Sequence, residues 1–459
     1  MTAKRCYYLL PWTLALLTAV SAAQVTVQKE RGGYLVRSSE KFDVAPGGEL
    51  KMKDLLGDVR ITGGDYAQAE IIQEYFFDAD SESEARRLFE EYAAKIKKMN
   101  NRIEVSGRGP LPSRALDGAR KLYILALRGN AEFNASYEVF LPAMFNADAT
   151  TTGGDMVLSD LKGRVELETA GGDLEISAVT GTVLGKTAGG DVTARNLEGD
   201  VTLSTAGGDV SLIDGRTGPY VLKTAGGDIT VQALKGEVRA STSGGDVEAH
   251  NVEGNLDLHT SGGDITLEDI KGADHRASTS GGDVQARSVI GNVDLSTSGG
   301  QVQAIRVQGR VIGSTSGGDM DITEITGDAD ISTSGGDLYL RDVRGRLVGK
   351  TSGGDIRARV EQGGKLSAPI RLATSGGEIE LKLPSSVQAS VSARILIKDT
   401  WSDYTVRDDF KLKIVSESKD TRRRGGRYEE IIATGDINGG GPLIELETVN
   451  GDINIIKGN

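Results

Sequence analysis

From Gly153 onward the chain alternates apolar and polar residues in short bursts, and each burst ends at glycine. The unit Gly189 to Ala206 shows the pattern. Val192 and Ala194 alternate with Thr193 and Arg195, then Val201 and Leu203 alternate with Thr202 and Ser204. A period of two with a β-branched bias marks strands with one buried and one wet face. Gly-Gly pairs open successive units at Gly153, Gly171, Gly189, Gly207, Gly226, Gly244, Gly262, Gly281, Gly299, Gly317, Gly335 and Gly353, with a spacing of 18 residues and twice 19. A further pair, Gly376-Gly377, follows after a longer gap. A second glycine column, from Gly163 to Gly345, falls halfway through each unit. One unit is therefore expected to be two short strands and two corners.

Such a unit buries too few small aliphatic side chains to offset the cost of ordering its backbone, so its neighbours must supply ladder hydrogen bonds and shared burial. The expected fold class is all-β: a parallel β-solenoid, or β-helix, of about 13 rungs of 18 residues. A small α/β N-terminal region and an irregular β C-terminal cap flank it. At about 4.8 Å per rung the repeats would form a rod roughly 60 Å long. The expected division is 1–23 signal peptide, 24–145 N-terminal α/β capping region, 146–383 β-solenoid repeats, and 384–459 C-terminal β region with closing rungs.

Stacking like on like makes columns. Thr precedes every corner, from Thr151 to Thr374, and shares parity with the inward residues. It reads as a hydroxyl ladder bonding from rung to rung or to the glycine corner. The next column is Ala from Ala170 to Ala225 and Ser from Ser243 to Ser375, small residues suited to a tight corner. Acid follows Gly-Gly from Asp155 to Glu378, broken by Gln301. Carboxylates one rung apart repel, so they must sit at a wet corner, accept turn N–H bonds or hold cations such as calcium. Turn capping is the favoured reading, because the spacing is not that of the calcium-binding nonapeptide repeat. The outward columns, among them Glu166, Arg195, Glu248, Arg287, Tyr339 and Arg357, mix charges and form no aromatic platform.

The flanks read differently. Lys4 and Arg5, the apolar run Leu9 to Val20, and Ser21-Ala22-Ala23 make a secretory signal with cleavage before Gln24; an uncleaved anchor is the alternative. Gly57 to Asp65 looks like a worn rung. Glu84 to Met99 reads as an amphipathic helix capped by Ser81 or Ser83, packed on the end of the rod or presented to a partner. Glu132 to Leu141 reads as a strand. Thr434 to Ile437 and Thr448 to Ile455 read as closing rungs. The basic cluster Arg422 to Arg427 reads as a solvated loop tip, with contact to anionic envelope polymers as the alternative.

Composition narrows the picture. There are 62 glycines and only 5% aromatic residues, so the core must be small and aliphatic. A net charge of −13 disfavours a nucleic-acid partner. The single cysteine, Cys6, lies in the leader, so the mature chain would hold no disulfide and no thiolate metal site. No long apolar segment follows Gln24, so no transmembrane span is expected in the mature chain.

The Thr-Ser-Gly-Gly-Asp-Ile/Val units, as at Thr260 to Ile265 and Thr351 to Ile356, resemble the bacterial putative-adhesin family of β-strand-repeat domains. So do the Gly57-Asp58-Val59-Arg60-Ile61 opening and the Asn450-Gly451-Asp452-Ile453 close. The resemblance covers most of residues 40–459. It implies an exported β-solenoid with an adhesive or envelope role, and it carries no catalytic residues.

Three functions follow from these readings. The first is an exported, non-catalytic structural or adhesive protein of the bacterial envelope, periplasmic or at the cell surface, whose partner is an unknown envelope protein or polysaccharide. The second is an envelope sensor or assembly factor. The third is a polysaccharide-degrading β-helix enzyme, which needs two carboxylates in a cleft. The uniform units supply no cleft walls, and His250, His259 and His275 fall in no motif. His250 and His259 are expected to face outward and His275 to mark a bulge. No catalytic, cofactor-binding or metal residue is expected.

Overall fold

The computed structural model describes residues 24–107, 135–398, 403–421 and 426–458. The proposed signal, residues 132–134 of the expected strand, and Arg422 to Gly425 of the basic cluster lie outside the described residues.

The repeats form a parallel β-solenoid. Each strand pairs with the strand one unit later: Val192 faces Leu174 below and Val210 above, and Val201 faces Val183 and Tyr220. One parallel sheet holds the strands that follow Gly-Gly, and a second holds those that follow the mid-unit glycine. Strands such as Val210–Lys223 and Ile229–Ser241 run through the corner and join the two. Between the sheets lie inward rows of Val, Leu, Ile and Ala, nearly all fully buried. Parity places them there, as the alternation predicts.

The unit has a third corner that the two-strand reading lacks. Ala178, Asn196, Ala233, Asn251, Asp269 and Arg306 stand one above another, all with φ between 52° and 56°. Such a left-handed backbone costs an ordinary residue roughly 1 kcal/mol. Here the bend turns the next residue inward, so Val179, Leu197, Leu234, Val252 and Ile270 form an extra buried row. The slip in alternation, from Val192 and Ala194 to Leu197, is the trace of this bend in the sequence.

The sheets do not stop where the repeats stop. Asp58–Gly64, the worn rung, pairs in parallel with Met156–Ser159 above it and with Ala135–Pro142 below it. Gly48–Leu55 likewise lies between Phe145–Thr151 and Arg102–Ser106. The first sheet then turns antiparallel through Gln68–Phe77, Gly33–Asp43 and Gln24–Glu30. Helix α1 (Glu82–Tyr92) packs on these last strands. Its N-cap is Ser81, whose hydroxyl accepts the Glu84 N–H. It is shorter than the expected Glu84 to Met99: the backbone leaves the helix at Ala93, and Lys95–Met99 is a strand antiparallel to Arg102–Ser106. Asn100, at φ 57°, is the hairpin turn between them, a residue suited to that conformation.

The C-terminus closes in a similar way. Leu443–Val449 and Ile453–Gly458 return to lie on Ile370–Ala373 and Ile379–Pro384 as the expected closing rung. They are covered in turn by Ala389–Ile397 and Val406–Asp408. Thr434 to Ile437 is not a rung: it belongs to Gly426–Ile437, which pairs antiparallel with Ala389–Ile397.

Candidate functional site

The corner Thr-Ala/Ser-Gly-Gly-Asp is the most repeated surface of the molecule. Each Thr is buried, and its hydroxyl makes two bonds. Thr205 Oγ1 donates to the Gly190 carbonyl of the unit below at 2.8 Å and accepts the Gly208 N–H of its own corner at 3.3 Å. The same pair recurs from Thr169 to Thr374, and Thr448 donates to Gly377 at 2.8 Å. Both expected directions of bonding are used, which leaves the hydroxyls inside the corner rather than on a binding face.

The second glycine of each pair allows this approach. A Cβ on Gly208 would stand 2.3 Å from the Gly190 carbonyl oxygen, closer than any side chain tolerates. Few of these glycines are left-handed, so rung-to-rung proximity, rather than positive φ, demands glycine here. At the mid-unit corner both reasons act: Gly181 has φ +139°, and its Cβ would meet the Gly163 oxygen at 2.1 Å.

The acidic column is a capping ladder. The Asp191 N–H donates to Asp173 Oδ1 at 2.8 Å, Asp209 to Asp191 at 2.8 Å, and Asp228 to Asp209 at 2.7 Å. Each carboxylate thus satisfies a turn N–H of the unit above and stays in contact with water. Gln301 breaks the chain. Its own N–H donates to Asp283 Oδ1 at 2.7 Å, and among the described hydrogen bonds its side chain passes nothing to Asp319. The ladder resumes at Asp337, which donates to Asp319. Among the described residues no group of three or more His, Cys, Asp or Glu side chains is arranged to hold a metal ion.

This geometry predicts the outcome of mutating the ladder. Asp228→Asn keeps an oxygen acceptor for the Asp246 N–H and removes repulsion from the carboxylates on either side, so stability should hold or rise slightly. Asp228→Ala removes the acceptor and should cost about 0.5–1.5 kcal/mol. Thermal melts of both variants, each with and without EDTA, check this; chelator should move neither curve.

The histidines are scattered. His250 lies outward, 3.3 Å from Glu268 and 3.6 Å from Glu248. His259 lies outward with Nδ1 3.0 Å from Ser278 Oγ. His275 is buried in an inward row, between the aliphatic Leu256 and Val293. On the first sheet Arg357 ion-pairs with Asp355 at 3.0 Å and stands 5.6 Å from the Tyr339 ring centre. Among the described residues the outer faces thus carry local ion pairs rather than a convergent constellation.

No helix among the described residues is long and apolar enough to cross a membrane. No curated protein matches the sequence. Three solved structures are similar to parts of it. A putative adhesin from Bacteroides fragilis has 12% identity over 66% of this chain and 96% of its own, with a TM-score of 0.22. A putative cell adhesion protein from Clostridium sporogenes has 9% identity over 92% and 100%, with a TM-score of 0.15. A putative lipid binding protein from Parabacteroides distasonis has 10% identity over 67% and 94%, with a TM-score of 0.23. The family described as Toastrack DUF4097 matches residues 152–289 and 271–456, which together are more than half of the sequence. The chain belongs to this Toastrack DUF4097 family of β-strand repeats.

Proposed function

We propose that the protein is exported and acts as a non-catalytic structural or adhesive rod of the bacterial envelope. The observation that carries this reading is the continuous stacking of the units, whose register shifts at the mid-unit corners of the two 19-residue units and resumes beyond them. Corner residues, inward rows and outward columns continue from Met156–Ser159 to Ile379–Pro384 with almost no inserted loop. A stack of this kind presents long uniform faces instead of a walled cleft, which suits repeated contact with an extended partner. The hydroxyls and carboxylates of the corner are spent on the fold, and that favours scaffold over catalyst. Partner contact then falls to the outward columns and the two ends of the stack.

Fractionation of cells expressing the native protein tests the reading. The protein should appear in the periplasmic or surface fraction with its N-terminus near Gln24 and should co-sediment with envelope material. A cytoplasmic protein that begins at Met1 would sink the proposal.

A further inference from the structure

Two units have 19 residues, and they share a device that the 18-residue units lack. In each, the extra residue shifts the register at the mid-unit corner, between Arg216 and Gly218 in one and between Lys271 and Asp274 in the other. In each, the inward position just after that corner holds a polar ring, Tyr220 or His275, where the units on either side hold Val or Leu. Each ring lies beneath the widened corner and reaches a carbonyl fifteen residues on, Lys235 for Tyr220 and Ile290 for His275.

The two plugs differ in one respect. Tyr220 is satisfied: its hydroxyl accepts the Gly218 N–H at 3.3 Å and donates to the Lys235 carbonyl at 3.2 Å. His275 is not. Its Nε2 stands 3.4 Å from the Ile290 carbonyl, so the neutral ring carries its proton there. Its Nδ1 is buried without a partner. The residue is only 2% exposed. The buried rows Val252, Ile270 and Val289 hold no titratable group. The charged groups nearby are Asp257, Asp274, Arg276, Asp294 and Arg310, which line a shallow pocket of about 410 Å³ beside the ring. They are of mixed sign, and Arg276 lies 4.0 Å from Asp294. The pocket gives water a route to the corner but places no acceptor on Nδ1.

The geometry points to His275 as an acid-sensitive release in the middle of the rod: a proton on Nδ1 opens the corner Lys271 to Asp274 and loosens Ile265–Ser278 from its neighbours. The neutral ring is tolerated because one nitrogen is bonded and the other merely unfilled. The imidazolium would be a second donor and a net charge in an apolar row. Burial accordingly holds the imidazole below its ordinary range, with the Ile290 carbonyl and Asp274 opposing. The sign follows. The closed unit stays neutral and the open unit takes up the proton, so stability is full above the ordinary imidazole pKa and falls as pH drops below it. The device does not depend on what the rod binds.

Hydrogen exchange of the full chain at pH 7.5 and 5.0, corrected for intrinsic rates, tests this. In peptides covering residues 262–296 the opening constant should rise by up to about tenfold per pH unit below about 6.5. Peptides from residues 171–206 should not change. His275→Leu, which matches Leu256, and His275→Tyr, which copies Tyr220, should both abolish the rise, whereas His250→Gln should keep it. A flat wild-type response, or an equal rise in the His275 variants, overturns the proposal. If both variants disturb the fold, the wild-type imidazole resonances decide: a His275 that titrates in the ordinary range overturns it, and one that titrates well below supports it.

Discussion

Gly336→Ala should unlock the rod locally, while Gly335→Ala, one residue away, should be nearly silent. A Cβ on Gly336 would stand 1.9 Å from the Gly318 carbonyl oxygen and 2.8 Å from the Asp319 nitrogen. Both are backbone atoms of the unit below, so no rotamer change relieves the overlap and the rungs must part. Three bonds pass through this point. The Gly336 N–H donates to Thr333 Oγ1, Thr351 Oγ1 donates to the Gly336 carbonyl, and the Asp337 N–H donates to Asp319 Oδ1. The cost should be on the order of 3 kcal/mol, the upper range for forcing atoms into a packed site. A Cβ on Gly335 would sit 3.6 Å from its nearest neighbours, an ordinary contact. Neither glycine is left-handed, so the pair separates room from backbone freedom. Gly335→Ala should therefore stay within about 1 kcal/mol, with some gain from a stiffer unfolded chain. Each unit touches only its neighbours, so local exchange protection in Met320–Ile325 and Leu338–Val343 is the proper measurement, rather than one global melting point.

The same contrast shows how much of the fold is legible in the sequence. Columns are legible, because the register of one unit on the next copies the sequence period. Thr205 shares parity with Val201 and Leu203, and it is buried beside them. The third corner is only faintly legible. Asn196, Asn251 and Asp269 suit a left-handed backbone, but Ala178, Ala233 and Arg306 occupy it too, held by the stack rather than by their own preference. The ends are the least legible, because their pairing depends on where the chain returns. Ala389–Ile397 alternates as a rung strand would, yet it takes an antiparallel neighbour on one side and the closing rung on the other. Ile96 continues the helical face of Phe89 and Tyr92, yet Asn100 turns its segment into a hairpin strand. At the corner, the residue types announce a hydrogen-bonded turn. That the acceptor is the carboxylate of the unit below becomes visible only once the rungs are stacked.

Removing one whole unit should leave a folded rod, and removing half of one should not. Deletion of Gly244 to Ser261 takes out 18 residues and joins Ser243 to Gly262. Ile229 and Ile265 both pair with Val247, so they become direct neighbours in the shortened stack, as do Val238 and His275. Thr242 keeps the Gly227 carbonyl, and Asp228 Oδ1 passes from the Asp246 N–H to that of Asp264. The main loss is Asn255, whose side chain accepts the Ala273 and Asp274 N–H groups at the bulge. The expected cost is about 1–3 kcal/mol at that corner. Deleting only Gly244 to Val252 keeps Leu256–His259 but removes all except the last residue of the strand Val247–Glu253 that completes its rung. The first sheet then lacks a strand at that level, while the second keeps one, and glycines meant for backbone contact face side chains. Several buried aliphatic residues lose their row at roughly 1.5–3 kcal/mol each, which together rivals the stability of a typical domain. Circular dichroism and limited proteolysis on the two deletions should show an intact, protease-resistant core for the first and cleavage inside residues 226–300 for the second. Equal tolerance of both would mean that the 18-residue unit is not one turn of the coil, and the stacking argument behind every column would fall with it.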